Sequence, residues 1–259
     1  MSLPMNDPLH VKEQYSKPNN LNTRISIHDK YSTNKMGIAN WNFTIYQIES
    51  GMKLLELGCG TGAMWVDHRD AISKCARVVF SDLSEGMLET AKSNIGESEN
   101  VEYKIIDIQD IPFEDESFDV VIANYMLYHV PNIDKAVAEV SRVLKKGGHF
   151  YAGTTGGNGL METIAEILEV DITYANSTFS LDNGMEKLTP HFSDVEIKRY
   201  KDSLAVTNLD DLLVYIYSGI TFKNECKLSA DEVRSRLEAR MEGGVLKLPK
   251  DPGMFVAVK

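Results

Sequence analysis

The stretch best placed to do chemistry in this 259-residue chain is Glu56-Leu57-Gly58-Cys59-Gly60-Thr61-Gly62. Three glycines at alternate positions let the main chain turn tightly and let a ligand approach the backbone where any Cβ would collide. An apolar run leads into the turn, so it reads as the carboxyl end of a buried strand, a place where nucleotide-like ligands bind. Gly58-x-Gly60-x-x-Ala63 satisfies a loose dinucleotide fingerprint, and Asp82 lies at the spacing of a ribose-binding acid. The charge points elsewhere. Glu56 stands two residues before the first glycine, and the turn contains no Lys or Arg. A carboxylate repels a pyrophosphate by several kcal/mol in a dry site. It suits a ligand that brings an ammonium or sulfonium.

The elements that must position these residues follow from periodicity. Strands are expected over 53–57, 77–81, 101–106, 120–123 and 149–154. Helices are expected between them: over 63–72, after a Ser84 cap with Met87, Leu88, Ala91 and Ile95 inward, and after an Asn132 cap with Ile133 to Leu144 inward, closed by Lys145-Lys146-Gly147-Gly148. Upstream, residues 38–49 form a helix with Ile38, Trp41, Ile45 and Ile48 buried, ended by Gly51. Strand and helix alternate, so the fold class is α/β: a doubly wound, mostly parallel seven-stranded sheet. Beyond Gly159 the alternation breaks. A helix marked by Leu160, Ile164, Ile167 and Leu168, a turn at Asp182-Asn183-Gly184 and a short helix to His191 read as an insertion over the carboxyl edge. A strand over 194–200, helices over 209–217 and from a Ser229-x-x-Glu232 capping box to 241, and a strand over 254–258 complete the chain.

The expected organisation is an arm or lid over residues 1–36 and a main domain over 37–259, with 159–192 as a helical cap above the site. Pro4, Pro8 and Pro18 mark the arm's polar start. A helix over 21–31 aligns Leu21, Arg24, His28 and Tyr31 on one face, a polar stripe suited to facing a ligand. The net charge of −11, from 27 Lys and Arg against 38 Asp and Glu, disfavours nucleic acid and anionic membrane as partners. No apolar run is long enough to span a bilayer, and the first residues have no signal-peptide pattern. Three separated cysteines without metal-ligand spacing suggest reduced thiols, no metal, and a cytoplasmic setting.

Taken together, several motifs resemble one family. Glu56 to Gly62 looks like the first motif of the class I S-adenosylmethionine-dependent methyltransferases. Asp82-Leu83-Ser84-x-x-Met87 resembles their acidic second-strand motif and Asp107-Ile108 their third-strand motif. Phe118 to Ala123 and Arg142 to Gly148 resemble the fourth- and fifth-strand signatures of the small-molecule, type 11-like branch. The likeness covers about residues 50–155 in order and spacing. It implies S-adenosylmethionine as cofactor and S-adenosylhomocysteine as product, with the last strand antiparallel. It implies that Gly58, Cys59, Gly60 and Gly62 hold the methionine part and that Glu56 serves the ammonium end through water. Asp82 takes the ribose hydroxyls, Leu83 and Met87 flank the adenine, Asp107 and Ile108 take its amino group and ring, and the Asn124 backbone lies near the sulfonium.

Methyl transfer from a sulfonium is an in-line displacement that depends on positioning, and an O or N acceptor must also shed a proton. His129, in Asn124-Tyr125-Met126-Leu127-Tyr128-His129 after the fourth strand, is the first candidate base. His28 and Tyr31 on the arm are the others. No Asn-Pro-Pro-Tyr-like signature and no RNA-binding module appear, so the expected acceptor is a small molecule, methylated on O, N or C by a monomer or homodimer. Two other readings stand beside this one. The chain could bind the cofactor as a non-catalytic sensor or partner subunit, or it could be an NAD-dependent oxidoreductase.

Overall fold

A computed structural model describes residues 26–157, 159–170, 178–219, 222 and 226–259. Residues 1–25 of the expected 1–36 arm, with Leu21 and Arg24 of its stripe, lie outside the described residues. So do residue 158 and, within the expected insertion, residues 171–177.

The sheet has seven strands: β1 (Lys53–Leu57), β2 (Arg77–Asp82), β3 (Val101–Ile105), β4 (Phe118–Asn124), β5 (Leu144–Thr155), β6 (Asp194–Arg199) and β9 (Pro252–Val258). Their order is β3-β2-β1-β4-β5-β9-β6. The first five are mutually parallel, while β9 runs antiparallel to both β5 and β6. β1 and β4 are apolar on both faces because helices cover both. Leu55, Leu57, Val121 and Ala123 enter the core with α4 (Ile133–Val143), and Leu54, Val120 and Ile122 enter the opposite one. The Ser84 cap opens α3 (Glu85–Ile95), and Met87, Leu88, Ala91 and Ile95 are all buried, as their spacing requires.

Local differences from the sequence reading have physical causes. The helix expected over 63–72 divides into a single 3-10 turn, Ala63–Trp65, and α2 (Arg69–Lys74). The helix before β1 is only α1 (Ile38–Ile45), and Tyr46 leaves it in extended conformation. Its buried positions are Asn42 and Tyr46, whereas Ile38, Trp41, Ile45 and Ile48 are half-covered. That inward face is polar because it adjoins a buried polar cluster under the glycine turn. Lys145 to Gly148 do not cap α4. Leu144 is already extended, and β5 begins there beside Phe118.

The largest difference is a second layer. β7 (Asp202–Val206) and β8 (Leu246–Lys250) form a two-stranded antiparallel sheet that the sequence reading leaves as connection. Against it pack α5 (Leu160–Leu168), α7 (Leu209–Ser218) and α8 (Ala230–Glu238), around a core of Ile164, Leu204, Leu212, Val233, Leu237 and Leu248. Ile27 of the helical residues 26–31 enters the same core. The expected insertion over 159–192 is therefore two things. α5 belongs to the cap. Phe179, Leu181, Leu188 and Phe192, which flank or lie in α6 (Gly184–Leu188), belong to the main core. The described residues of the arm, 26–36, join the cap too: Ser32 bridges Leu204, and Thr33 N–H donates to Ser203 O at 2.9 Å.

Candidate active site

A cleft of about 2380 Å³ lies between the carboxyl edge of the sheet and the cap. A single small ligand usually fills about 300–1,000 Å³, so there is room for a cofactor and a second molecule. Gly58, Cys59, Gly60, Asp82, Leu83, Met87, Asp107, Ile108, Asn124, His129 and His28 all line it. Glu56, Gly62 and Tyr31 do not form part of its wall.

The glycine turn is left-handed at each glycine, with φ of 70° at Gly58, 54° at Gly60 and 68° at Gly62. Two of these bare Cα atoms make room for the protein itself. A Cβ on Gly58 would stand 2.8 Å from Met126 Cγ, and one on Gly62 would stand 2.6 Å from Ile95 Cδ1. Gly62 thus serves the approach of α3. Met126 reaches Gly58 because Tyr125, directly after β4, is itself left-handed at φ 54° and turns the chain back across the sheet edge. Such a conformation costs a side-chain-bearing residue about 1–2 kcal/mol.

Asp82 ties the turn to β2. Its Oδ2 accepts from Gly60 N–H and its Oδ1 from Ser84 N–H, both at 2.9 Å. Burial raises its carboxyl pKa above the usual range, though these backbone donors oppose the rise. Each oxygen keeps a lone pair for a ligand hydroxyl. Beside it, Leu83 is 63% exposed and Ile105 59% exposed, and both border the cleft. Ile105 pairs with Asp82 across β2–β3, so the two apolar side chains make one lip. The sequence reading misses Ile105, since nothing in a strand's alternation marks an outward isoleucine as functional. Met87 and Ile108 are each 3% exposed and contribute mainly packing. Asp107 accepts from the backbone and side-chain nitrogens of Gln109 at 2.9 and 3.1 Å.

Glu56 lies beneath the turn, 3% exposed, with Oε2 accepting from Trp65 Nε1 at 2.6 Å. Burial raises its pKa to about 7; hydrogen bonds from Trp65 and Asn124 oppose the rise, and the charge of Asp82 adds to it. Asn124 donates to the Tyr46 hydroxyl at 2.8 Å, and its Nδ2 is 3.6 Å from Met64 Sδ. Asn40 Oδ1 and His68 Nε2, 3.0 Å apart, extend the wall from α1. No sequence motif announces this pair.

Of the candidate bases, His129 sits in the 3-10 turn Leu127–His129 against the edge of Tyr128, with ring centroids 4.4 Å apart. His28 approaches from the cap side, edge-on to Tyr215 at 5.9 Å. Tyr31 is engaged elsewhere. Its hydroxyl donates to Asp211 Oδ2 at 2.7 Å, and that bond raises its pKa. Among the described residues no group of His, Cys, Asp and Glu is arranged to hold a metal, and no helix is long and apolar enough to cross a membrane.

A family model described as a methyltransferase domain matches residues 55–152. Demethylmenaquinone methyltransferase of Staphylococcus aureus (strain MRSA252) is 40% identical over 101 residues, which is 39% of this chain and 42% of that protein. Sterol 4-C-methyltransferase strm-1 of Caenorhabditis elegans is 35% identical over 104 residues, 40% of this chain and 31% of that protein. The match thus spans less than half the length of either relative. Phosphoethanolamine N-methyltransferase 2 of Haemonchus contortus, solved with S-adenosyl-L-methionine, superposes with a TM-score of 0.60 at 18% identity, covering 100% of this chain and 60% of that one. This likeness shows the fold. Residues 55–152 thus match a methyltransferase domain, within a chain whose fold is that of the solved methyltransferase.

Proposed function

We propose that the chain binds S-adenosylmethionine in the cleft and passes its methyl group to a small-molecule acceptor enclosed by the cap, releasing S-adenosylhomocysteine. One observation carries the reading. A left-handed glycine turn with no cation stands over a buried carboxylate, Glu56, and beside a second carboxylate, Asp82, in a cleft with room for two molecules. That charge pattern suits a cationic nucleoside and repels a pyrophosphate, which disfavours NAD.

The donor set fits the cofactor group by group. Asp82 has lone pairs to receive both ribose hydroxyls. Leu83 and Ile105 offer apolar surface to the base, and Asp107 an acceptor for its amino group. The backbones of Gly58, Gly60 and Asn124 border the path of the methionine part, and Glu56 lies below its ammonium. When bound, S-adenosylmethionine supplies an electrophilic methyl group. The protein's part is to hold the acceptor atom in line and to keep water out. His129, on the loop after β4, is the first candidate to take the acceptor's proton, and His28 the second, from the cap side. The acceptor atom is O, N or C. The three free thiols, Cys59, Cys75 and Cys226, fit a reducing compartment, and we place the protein in the cytoplasm.

Calorimetry with S-adenosylmethionine, S-adenosylhomocysteine and NAD tests the binding half of the reading. The expected result is binding of the first two and none of the third. Tight NAD binding without a response to S-adenosylhomocysteine would overturn it. Turnover is tested by release of S-adenosylhomocysteine in the presence of extracted metabolites. Cofactor binding with no turnover across such a panel would favour a sensor or partner subunit.

A further inference from the structure

We propose that Trp65 is a positioning residue that fixes the Glu56 carboxylate beneath the glycine turn, so that cofactor binding expels one proton from Glu56. The inference rests on the cofactor assignment above and deepens it.

The geometry begins with Gly62. Its left-handed conformation starts the 3-10 turn Ala63–Trp65, and Trp65 N–H returns to Gly62 O at 3.0 Å. This turn carries the indole back under β1, where it is 1% exposed. Phe43 and Phe80 meet it edge-on at 5.0 and 5.3 Å, so the ring cannot swing aside. Its N–H therefore points along one line, to Glu56 Oε2 at 2.6 Å.

The groups facing Glu56 from every neighbouring element are few. Asp82 from β2 repels it, and Asn124 from β4 contributes a neutral amide. Tyr46 after α1 and Cys59 in the turn are both held neutral by burial, with the Glu56 charge adding to the effect. No cation among the described residues acts on it. A carboxylate walled in this way is poorly matched while the site is empty, and it is half-protonated near neutral pH. An ammonium arriving above it supplies the missing charge, favours the ionised form and sends the proton to solvent. The indole N–H keeps the acid close enough to ionisation for this exchange to occur near pH 7. A Trp65–Glu56 pair that served only to satisfy a buried indole would release no proton when ligand binds.

The test is calorimetry of S-adenosylhomocysteine binding between pH 5.5 and 7, in buffers of different ionisation enthalpy, where the ligand's amino group stays protonated. For the wild-type protein we expect close to one proton released at the acid end and an affinity about tenfold weaker at pH 5.5 than at pH 7. Glu56→Gln keeps an acceptor for the indole but cannot ionise, and should flatten that slope. Trp65→Phe removes only the N–H and some volume. Losing a hydrogen bond to a charged group should move the midpoint about one to two pH units alkaline, above this window, so that the variant still releases close to one proton at pH 7, where the wild-type protein releases about half. Should Trp65→Phe fail to fold, the indole N–H resonance of Trp65 in the wild-type protein decides. The chain has only two tryptophans, and Trp41→Phe assigns them. The Trp65 signal should titrate with the same midpoint as the proton release. An unmoved midpoint in Trp65→Phe, or an indole signal blind to pH, would overturn the proposal while leaving the cofactor assignment intact. Absence of any S-adenosylhomocysteine binding by the wild-type protein would overturn both.

Discussion

Two buried carboxylates, one on each side of the cleft, behave in opposite ways. Glu56 is the next-to-last residue of β1, under the glycine turn, and Asp202 opens β7 at the root of the cap. Both side chains are nearly inaccessible: the Glu56 residue is 3% exposed and the Asp202 side chain 1%. Burial alone pushes both carboxyl pKa values up. At Asp202 the donors win. Lys250 Nζ at 2.5 Å, Asn34 N–H at 3.0 Å and the Ser32 hydroxyl at 2.8 Å hold it down at about 2. At Glu56 one indole N–H and one amide do not suffice, and the pKa rises to about 7. Glu56 is the deeper of the two and has the fewer donors, and both differences act in the same direction. The cap's acid is fully matched inside the chain and works as a structural rivet between arm, β7 and β8. The turn's acid is under-matched, which accords with the proposal that its partner is a ligand.

The rivet gives the largest expected effect. Asp202→Ala leaves Lys250, whose side chain is 12% exposed, as an unpaired buried charge. Removing one member of such a pair costs about 3–5 kcal/mol. Urea denaturation at pH 7 measures it. Because the folded pKa is depressed, this stabilisation is present in full above the unfolded carboxylate range near pH 4 and is lost as pH falls toward 2. A loss under 1 kcal/mol would mean that the pair is matched no better than the turn's acid, and the comparison would fail.

Glu56→Gln should change stability in the other direction. A carboxyl whose folded pKa is raised to about 7 gives the folded state extra protons between its unfolded and folded pKa. Ionising it in place therefore costs stability, in full above pH 7 and not at all below about pH 4.5. The unliganded variant should be about 3 kcal/mol more stable than wild type at pH 8, with the gain vanishing at pH 4.5. Denaturation of the unliganded protein across that range checks it. Equal stability at pH 8 would show Glu56 to be as well satisfied as Asp202.

Asp82 lies between these extremes. It braces two backbone N–H groups and keeps lone pairs for a ligand. Asp82→Ala should weaken S-adenosylhomocysteine binding by about 1.5–3 kcal/mol, through loss of hydrogen bonds to a charged acceptor. Unchanged affinity in calorimetry would move the ribose elsewhere and leave Asp82 as a brace alone.

The contrast also explains what was legible in the sequence. Parallel strands buried on both faces announce themselves as apolar runs, so β1, β2 and β4 and the turn behind β1 were readable, and the sign of the Glu56 charge with them. The cover over Glu56 was not. Trp65 reaches it only because the helix expected there breaks into a 3-10 turn after Gly62. The cap's sheet was equally hidden. β7 and β8 are five residues each, lie far apart in the chain, and pair Leu204 with Leu248 and Val206 with Leu246 through long-range packing alone. Asp202 and Lys250 face each other in that register, and no local pattern predicts it. Polar positions on α1 failed for a similar reason. Asn42 and Tyr46 are buried because they serve the cluster around Met64 and Asn124, where an amphipathic rule expects isoleucine.

Tyr31 sharpens the comparison at its smallest scale. Spacing groups it with His28 as a candidate base, yet residues 26–31 send the two side chains to different tasks. His28 borders the cleft. The Tyr31 hydroxyl meets Asp211, which also takes Lys30 Nζ at 2.9 Å, so a second cap carboxylate is matched from within the arm. This bond is only partly buried, and Tyr31→Phe should cost about 0.5–1 kcal/mol of stability. It should leave cofactor affinity unchanged, because the lost contact belongs to the cap's internal pairing. Paired denaturation and calorimetry measure the two effects. A tenfold loss of cofactor affinity with little loss of stability would reverse the assignment, joining Asp211 and Tyr31 to the ligand-facing groups and supporting a lid role for the arm.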